Sequence, residues 1–185
     1  MERLTLLLKR TILINPKNLE ETKYIIDTSS FVQSKRTYYA FDIAPSYWDF
    51  LSKLAKNKII ISIDKVFDEI ARGKDNLYDW VQDELDTVFF ANTDIPEILA
   101  IYKEIIIWGS SSTQFKSNAK SEFAKYENAD PWLVASAVKQ SITIVSQEVF
   151  DPNIQRSVPI PNVCKEFGVR HIDTFAFLRE CGFRM

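Results

Sequence analysis

The sequence predicts an α/β protein with three layers, α/β/α, around a central parallel sheet of about four to five strands. Short β-branched runs alternate along the chain with stretches of helical periodicity, a pattern typical of parallel βαβ units. Glycine is scarce, at 4 residues, which argues against a turn-rich all-β fold. Hydrophobic residues make up 46% of the 185 residues, enough to pack the core of one domain.

The strands are predicted from short apolar runs bounded by polar or turn residues. They cover residues 24–27, 59–62, 142–145 and 169–172, with a minor extended piece over 88–91. Residues 1–22 precede the first clear strand and are predicted to be an N-terminal extension. The main domain is therefore expected to span residues 23–185.

The helices are predicted from apolar periodicity and from their end signals. The hydroxyls of Thr28, Ser29 and Ser30 are expected to cap a helix, and Pro45 suits the first turn of another. Predicted helices cover residues 45–56, 65–72, 76–85, 96–108, 115–126, 130–139, 162–167 and 174–181. The long helical stretch around 75–126 is expected to be an insertion, forming a subdomain or a lid over the carboxyl edge of the sheet.

Composition excludes several classes of protein. A net charge of −2 excludes a strongly basic nucleic-acid binder, although not a local basic face. Neither a P-loop nor a G-x-G-x-x-G run occurs, and Cys164 and Cys181 form no C-x-x-C pair that would indicate zinc or redox chemistry. His171 is the single histidine, so a Ser-His-Asp mechanism would have to use it.

No segment reaches about 18 consecutive apolar residues, and no convincing signal peptide is present at the start of the chain. We therefore expect no membrane span and a cytoplasmic location.

Acidic side chains occur at or just beyond several predicted strand ends. Asp27 closes the first strand, Glu69 lies in the helix after the second, Asp130 starts the helix before the third, and Glu148 follows the third. Carboxyl ends of parallel strands meet at one edge, where four acids would repel one another unless a divalent cation lay between them. A single aspartate after a strand is usually only a cap or turn residue. The set of four therefore predicts a site for Mg²⁺ or Mn²⁺, and with it phosphate chemistry.

The four acids stand in short motifs that follow one another along the chain. The motifs are Ile26-Asp27-Thr28-Ser29-Ser30, Val66-Phe67-Asp68-Glu69-Ile70, Ala129-Asp130-Pro131-Trp132-Leu133-Val134-Ala135 and Ile144-Val145-Ser146-Gln147-Glu148. In their order, over roughly residues 23–182, the chain resembles the PIN domain family of nucleases. The resemblance is to a divergent branch, and it rests on the ordered set, since each motif alone is weak.

The resemblance implies a metal-dependent endoribonuclease that is the toxin of a toxin–antitoxin pair. It further implies an RNA substrate, a cognate antitoxin protein as partner and, commonly, a homodimer. Asp27, Glu69, Asp130 and Glu148 would be the catalytic and metal-holding residues. Glu148 stands where the family more often has Asp, and Asp151 is a nearby substitute for it.

Other side chains are predicted to support this site. Thr28 and Ser30 are expected to orient Asp27 or a metal-bound water. Basic residues near the first and second acids are candidates for contacts with substrate phosphates. They are Lys35, Arg36, Arg72 and Lys74. Trp132 and Trp108 are expected in the core rather than as base-stacking platforms.

Two alternatives remain open from the sequence. One is a catalytically inactive PIN-like module that binds RNA or a protein, which the low net charge and Glu148 would fit. The other is a phosphoryl-transfer domain with Asp27 as nucleophile. The second is the weaker, because Asp27 begins no D-x-D motif and no lysine directly follows Val145.

Overall fold

A computed structural model describes residues 23–184 and contains one parallel sheet of five strands. The strands are β1 (Tyr24–Ile26), β2 (Ile60–Ile63), β3 (Phe90–Ala91), β4 (Thr143–Val145) and β5 (His171–Ile172). Their order across the sheet is β3-β2-β1-β4-β5, and every neighbouring pair is parallel. The predicted three-layer α/β/α fold is confirmed.

The helices alternate with the strands as the sequence predicts, with ends that shift by a few residues. They are α1 (Thr28–Gln33), α2 (Pro45–Lys56), α3 (Asp64–Gly73), α4 (Asn76–Glu84), α5 (Pro96–Ser111), α6 (Ser117–Phe123), α7 (Ala129–Gln140), α8 (Ile160–Phe167) and α9 (Thr174–Glu180). Within residues 23–184, no helix is long and apolar enough to cross a membrane.

The central strands and α7 form the middle of the core. Ile25 in β1 and Ile144 in β4 are fully buried, as β-branched residues of an inner parallel strand should be. Helix α7 packs against α5 and α8 and against β2 and β4. Trp132 in α7 is buried and stacks on Tyr102, with 3.7 Å between ring centroids, so its predicted place in the core is confirmed.

The start of α1 differs from the prediction. Thr28, Ser29 and Ser30 do not cap a helix but form its first turn, and the N-cap is Asp27. The Asp27 carboxylate accepts a hydrogen bond from the Ser29 backbone N–H, at 3.0 Å. Because Asp27 is still extended when the strand ends, its side chain can reach the free N–H groups of the helix that follows. A π-helical turn over Ser34–Tyr38, which the sequence did not indicate, continues α1.

The stretch around residues 75–126 is partly built into the main fold. It contains α4, a 3₁₀ turn over Thr87–Phe89, β3, α5 and α6. Strand β3 pairs with β2, with Ser62 opposite Phe90, and α5 packs along α7. The predicted extension over residues 1–22 lies outside the described residues.

Candidate metal centre

The carboxyl ends of β1 and β4 bring two of the predicted acids together. Ile26 is aligned with Val145 in the parallel pair, and the Asp27 N–H donates to the Val145 carbonyl, at 3.0 Å. Glu148 follows Val145 in the next loop. Strand pairing therefore sets Asp27 and Glu148 at the same edge of the sheet.

Helices α3 and α7 bring the other two acids to this edge. A carboxylate oxygen of Glu69 in α3 accepts from the backbone N–H of Ala129, the first residue of α7, at 3.3 Å. The other accepts from the Thr28 hydroxyl at the start of α1. Asp130 is the second residue of α7, and its N–H is capped by the Asn128 side chain, at 3.0 Å. The Glu69 side chain thus ties together the three helix segments around the edge.

The electrostatics show that these carboxylates lie in one another's field. Burial raises the pKa of Asp27 to about 6, against hydrogen bonds from Ser29 that lower it, and the charges of Glu148 and Glu69 raise it further. Burial also raises the pKa of Asp130 well above its usual range, and the charges of Asp27, Glu148 and Glu69 add to the rise. Burial raises the pKa of Glu148, and the hydrogen bond from the Ile160 N–H lowers it in part. Elements far apart in sequence have therefore formed one acidic cluster, the carboxylates of Asp27, Glu69, Asp130 and Glu148.

No basic side chain neutralises the acidic cluster within the described part of the chain. The ion pairs between residues 23 and 184 join Lys35 to Asp75, Lys56 to Glu84, Lys125 to Glu122 and Arg170 to Glu180. None of them includes a member of the cluster. Buried carboxylates without a cationic partner hold protons at the pH where they would otherwise be charged, or they bind a metal ion.

The donor set fits a hard divalent cation, although the side chains are not arranged around a common point. The four side chains offer only carboxylate oxygens, which suit Mg²⁺ or Mn²⁺. Across residues 23–184, however, no group of three Asp, Glu, His or Cys side chains stands ready to hold a metal ion. Two members are engaged elsewhere: Glu69 by Thr28 and the Ala129 N–H, and Glu148 by the Ile160 N–H at 2.6 Å.

The hydroxyls around Asp27 are arranged differently from the expectation. Ser29, which the sequence analysis did not select, donates to Asp27 through both its N–H and its hydroxyl. Thr28 donates to Glu69 instead, and Ser30 donates to the Val145 carbonyl, at 3.1 Å. The signal for Ser29 was its position two residues after an N-cap aspartate, where the cap geometry directs hydrogen bonds back to the carboxylate.

The basic residues predicted to contact substrate are spread over the surface. Lys35 is partly buried and paired with Asp75, and the Arg72 side chain donates to the Asp68 carbonyl. Arg36 and Lys74 are exposed. Arg156, which the sequence analysis did not select, is exposed and lines a cleft of about 320 Å³ together with Asp130 and Glu148.

The remaining candidates have local roles. The carboxylate of Asp151 accepts from the Asn153 N–H, at 2.8 Å, within an exposed turn, and its charge is not among those that raise the pKa of the cluster. His171 is hydrogen-bonded to the Ser146 hydroxyl, at 2.8 Å. Both cysteines are unpaired thiols.

Comparisons with known proteins give one family match. A family model described as "Domain of unknown function (DUF4411)" matches residues 24–185. No curated protein matches the chain. Among solved structures, a chain in the crystal structure of VapBC2 from Rickettsia felis bound to a DNA fragment from their promoter is similar, with a TM-score of 0.45 and 16% identity. The similarity covers 82% of this chain and 98% of the other, and at this level it carries no argument about activity.

Proposed function

We propose that this chain, which belongs to the family described as a domain of unknown function (DUF4411), is a divalent-metal-dependent ribonuclease. The observation that carries the proposal is the acidic cluster at the carboxyl edge of the sheet. Its members come from four separate segments, the charges of Glu69 and Glu148 raise the pKa of both Asp27 and Asp130, and no basic side chain in residues 23–184 is paired with them. A domain that only needed to fold would gain nothing from burying such charges together.

In this proposal Asp27 and Asp130 hold the ion, with Glu69 and Glu148 completing the site. A bound Mg²⁺ or Mn²⁺ supplies a water of lowered pKa and neutralises charge on the scissile phosphate.

The chain's own residues fix the carboxylates. Ser29 orients Asp27 through its N–H and hydroxyl. Thr28 and the Ala129 N–H hold Glu69, and the Ile160 N–H holds Glu148. Glu148 rather than Asp151 is supported as the fourth acid, since the charge of Glu148 raises the pKa of both aspartates and that of Asp151 is not among the causes for either.

The biological assignment rests on the sequence resemblance to PIN domains. In that assignment the protein is the toxin of a toxin–antitoxin pair, cleaves RNA in the cytoplasm, and is inhibited by a cognate antitoxin protein. A homodimer belongs to the same proposal.

The test is cleavage of labelled RNA by the purified full chain with Mg²⁺ or Mn²⁺ and with a chelator. We expect metal-dependent cleavage that Asp27→Asn and Asp130→Asn both abolish, because each replaces a charged, metal-holding carboxylate by a neutral amide of the same size. Asp151→Asn is the matched control and should cleave at the wild-type rate. Undiminished cleavage by both cluster variants would contradict the proposal.

One observation favours a second candidate, a catalytically inactive module that binds RNA or a protein. In the described part of the chain no three acidic side chains are arranged to hold a metal ion, and Glu69 and Glu148 are already hydrogen-bonded. Calorimetry with Mn²⁺ separates the two candidates. Absence of binding at millimolar Mn²⁺ favours the inactive module, whereas binding that Asp130→Asn removes favours the nuclease.

A further inference from the structure

An exposed tyrosine and a lysine lie next to the acidic cluster and belong to no part of the site described so far. Tyr126 is in the loop between α6 and α7 and exposes 53% of its surface. The Lys65 ammonium lies over its ring, 4.1 Å from the centroid. Exposed aromatic rings beside a cation are the elements from which proteins build sites for single-stranded nucleic acid.

Two short connections join this pair to Glu69. Lys65 and Glu69 are four residues apart in α3, so they lie on the same side of the helix, with Cβ atoms about 6 Å apart. Tyr126 precedes Ala129 by three residues, and the Ala129 N–H donates to Glu69. The pair is therefore close enough to the cluster for one oligonucleotide to touch both.

The ring of Tyr126 is held in place by its surroundings. Its carbonyl accepts from the Trp132 indole N–H, at 3.1 Å, and its ring packs nearly perpendicular to that of Trp132, with 5.4 Å between centroids. Trp132 in turn is buried against Tyr102. A ring whose position is already fixed loses little conformational entropy when a base stacks on it.

We propose that Tyr126 and Lys65 form a nucleotide subsite, in which a nucleobase stacks on the face of the Tyr126 ring that Lys65 does not cover and Lys65 contacts the adjoining phosphate. This inference rests on the proposed function and names the substrate it takes as single-stranded RNA, since bases paired in a duplex cannot expose a face to the ring. Stacking without hydrogen bonds to base edges makes the subsite tolerant of sequence.

The experiment measures binding in the full chain carrying Asp130→Asn, so that cleavage does not interfere. The probes are a fluorescently labelled oligouridylate of about ten nucleotides and an abasic ribose-phosphate oligomer of equal length and charge. We expect Tyr126→Ala to weaken binding of oligouridylate about tenfold and to leave binding of the abasic oligomer unchanged. Lys65→Ala should weaken binding of both oligomers. It should also lower the number of ions released on binding, measured from the salt dependence of the affinity, by about one.

Matched variants separate stacking from loss of structure. Tyr126→Phe keeps the ring and should bind like the parent, whereas Tyr126→Leu keeps apolar packing on Trp132 but should behave like Tyr126→Ala. Tyr38→Ala removes a tyrosine of similar exposure, 48%, that packs on Phe175 instead, and should have no effect. Lys56→Ala removes a lysine at the end of α2, which leads into the amino end of β2 and not its carboxyl end, and should have no effect either.

The outcomes distinguish this inference from the proposed function. If the wild-type chain cleaves RNA in a metal-dependent way but Tyr126→Ala and Tyr126→Leu bind oligouridylate as well as the parent, the subsite is wrong and the nuclease stands. An equal loss for both oligomers would also overturn the stacking role. A base-dependent loss in a chain that cleaves no RNA supports the subsite and overturns the nuclease.

Discussion

The charge of Asp27 raises the pKa of Asp130, because both carboxylates are buried at the carboxyl edge of the sheet although they are far apart in sequence. The pKa of Asp27 is itself raised, to about 6, with burial as the largest cause. Both groups therefore bind protons more tightly in the folded chain than in the unfolded one. This has a measurable consequence for stability in the absence of metal.

Metal-free wild-type protein should lose stability relative to Asp27→Asn as the pH rises. An unfolded aspartate has a pKa of about 3.9, so the raised pKa of Asp27 stabilises the folded state fully below that pH. The contribution is lost as the pH rises through about 6. Thermal denaturation of both proteins in chelator, across this range, should show the variant gaining on the wild type.

A control with the opposite sign is available. The hydrogen bond from Lys35 lowers the pKa of Asp75, so that carboxylate stabilises the folded state at higher pH and loses its contribution as the pH falls. Asp75→Asn should therefore be less stable than the wild type at higher pH, and this difference should shrink as the pH falls. The stability of Asp27→Asn relative to the wild type should instead rise as the pH rises. A difference between wild type and Asp27→Asn that stays constant with pH would contradict the raised pKa.

The hydroxyl of Ser29 should matter for activity, and that of Ser30 for stability. The Ser29 hydroxyl donates to Asp27 and accepts from the Gln147 N–H, at 3.0 Å, so Ser29→Ala removes one of the two hydrogen bonds from Ser29 to the carboxylate and leaves that from its N–H. Side chains that orient a metal ligand typically contribute 10- to 100-fold, so we expect cleavage to fall about tenfold and Mn²⁺ binding to weaken. Ser30→Ala loses only a bond to the Val145 carbonyl and should cost about 1 kcal/mol of unfolding free energy.

Kinetics and denaturation on the two serine variants together decide this point. The reverse pattern, with cleavage lost in Ser30→Ala and kept in Ser29→Ala, would contradict this prediction. It would show that Ser30 orients the carboxylate of Asp27, as the sequence alone suggested. Ser29→Ala should in addition leave the fold intact, since its side chain is only partly buried.

The sequence was sufficient to predict the parallel sheet and the edge of it at which Asp27 and Glu148 lie. Apolar runs such as Ile142–Val145 differ in period and β-branching from helices, and parallel pairing then fixes which ends meet. The sequence does not predict the hydrogen-bond partners of the acidic side chains. Which of three consecutive hydroxyls turns toward Asp27 depends on the direction in which α1 leaves the strand, and one residue of helix rotates a side chain by about 100°.

The basic residues illustrate the same limit over a longer range. Lys35 is near Asp27 in sequence, yet in the fold it is paired with Asp75, in the connection between α3 and α4. Arg156 is distant from Asp130 in sequence and lines the same cleft only because of the path of the loop after Glu148. Nearness to Asp27 in sequence therefore does not predict which basic side chains lie beside the acidic cluster in the fold.

A buried hydroxyl in α7 gives a prediction about stability. Ser136 is fully buried, and its hydroxyl has no hydrogen-bond partner within residues 23–184. An unsatisfied buried polar group costs about 1–3 kcal/mol, so Ser136→Ala should raise the free energy of unfolding by about 1 kcal/mol. Urea denaturation of the variant and the wild type measures this difference.

Ser62 in β2 provides the matched comparison. It is equally buried, but its hydroxyl donates to the Ile26 carbonyl, at 2.7 Å. Ser62→Ala should lower the free energy of unfolding by about 1 kcal/mol, because it removes a made hydrogen bond and leaves space. If Ser136→Ala is as destabilising as Ser62→Ala, the Ser136 hydroxyl has a partner in the folded protein after all.

Glu148 has two separable tasks, and its variants should divide them. The carboxylate carries charge into the acidic cluster, and it accepts a hydrogen bond from the Ile160 N–H at the start of α8. Glu148→Gln keeps an acceptor for that N–H but removes the charge, so it should weaken Mn²⁺ binding while preserving the melting temperature of the metal-free protein. Glu148→Ala removes both and should also lower that melting temperature, since it leaves a helix N–H without its acceptor. Calorimetry and thermal denaturation on both variants, with Asp151→Asn as the control, test the assignment. If Asp151→Asn weakens Mn²⁺ binding and Glu148→Gln does not, the fourth acid of the cluster is Asp151.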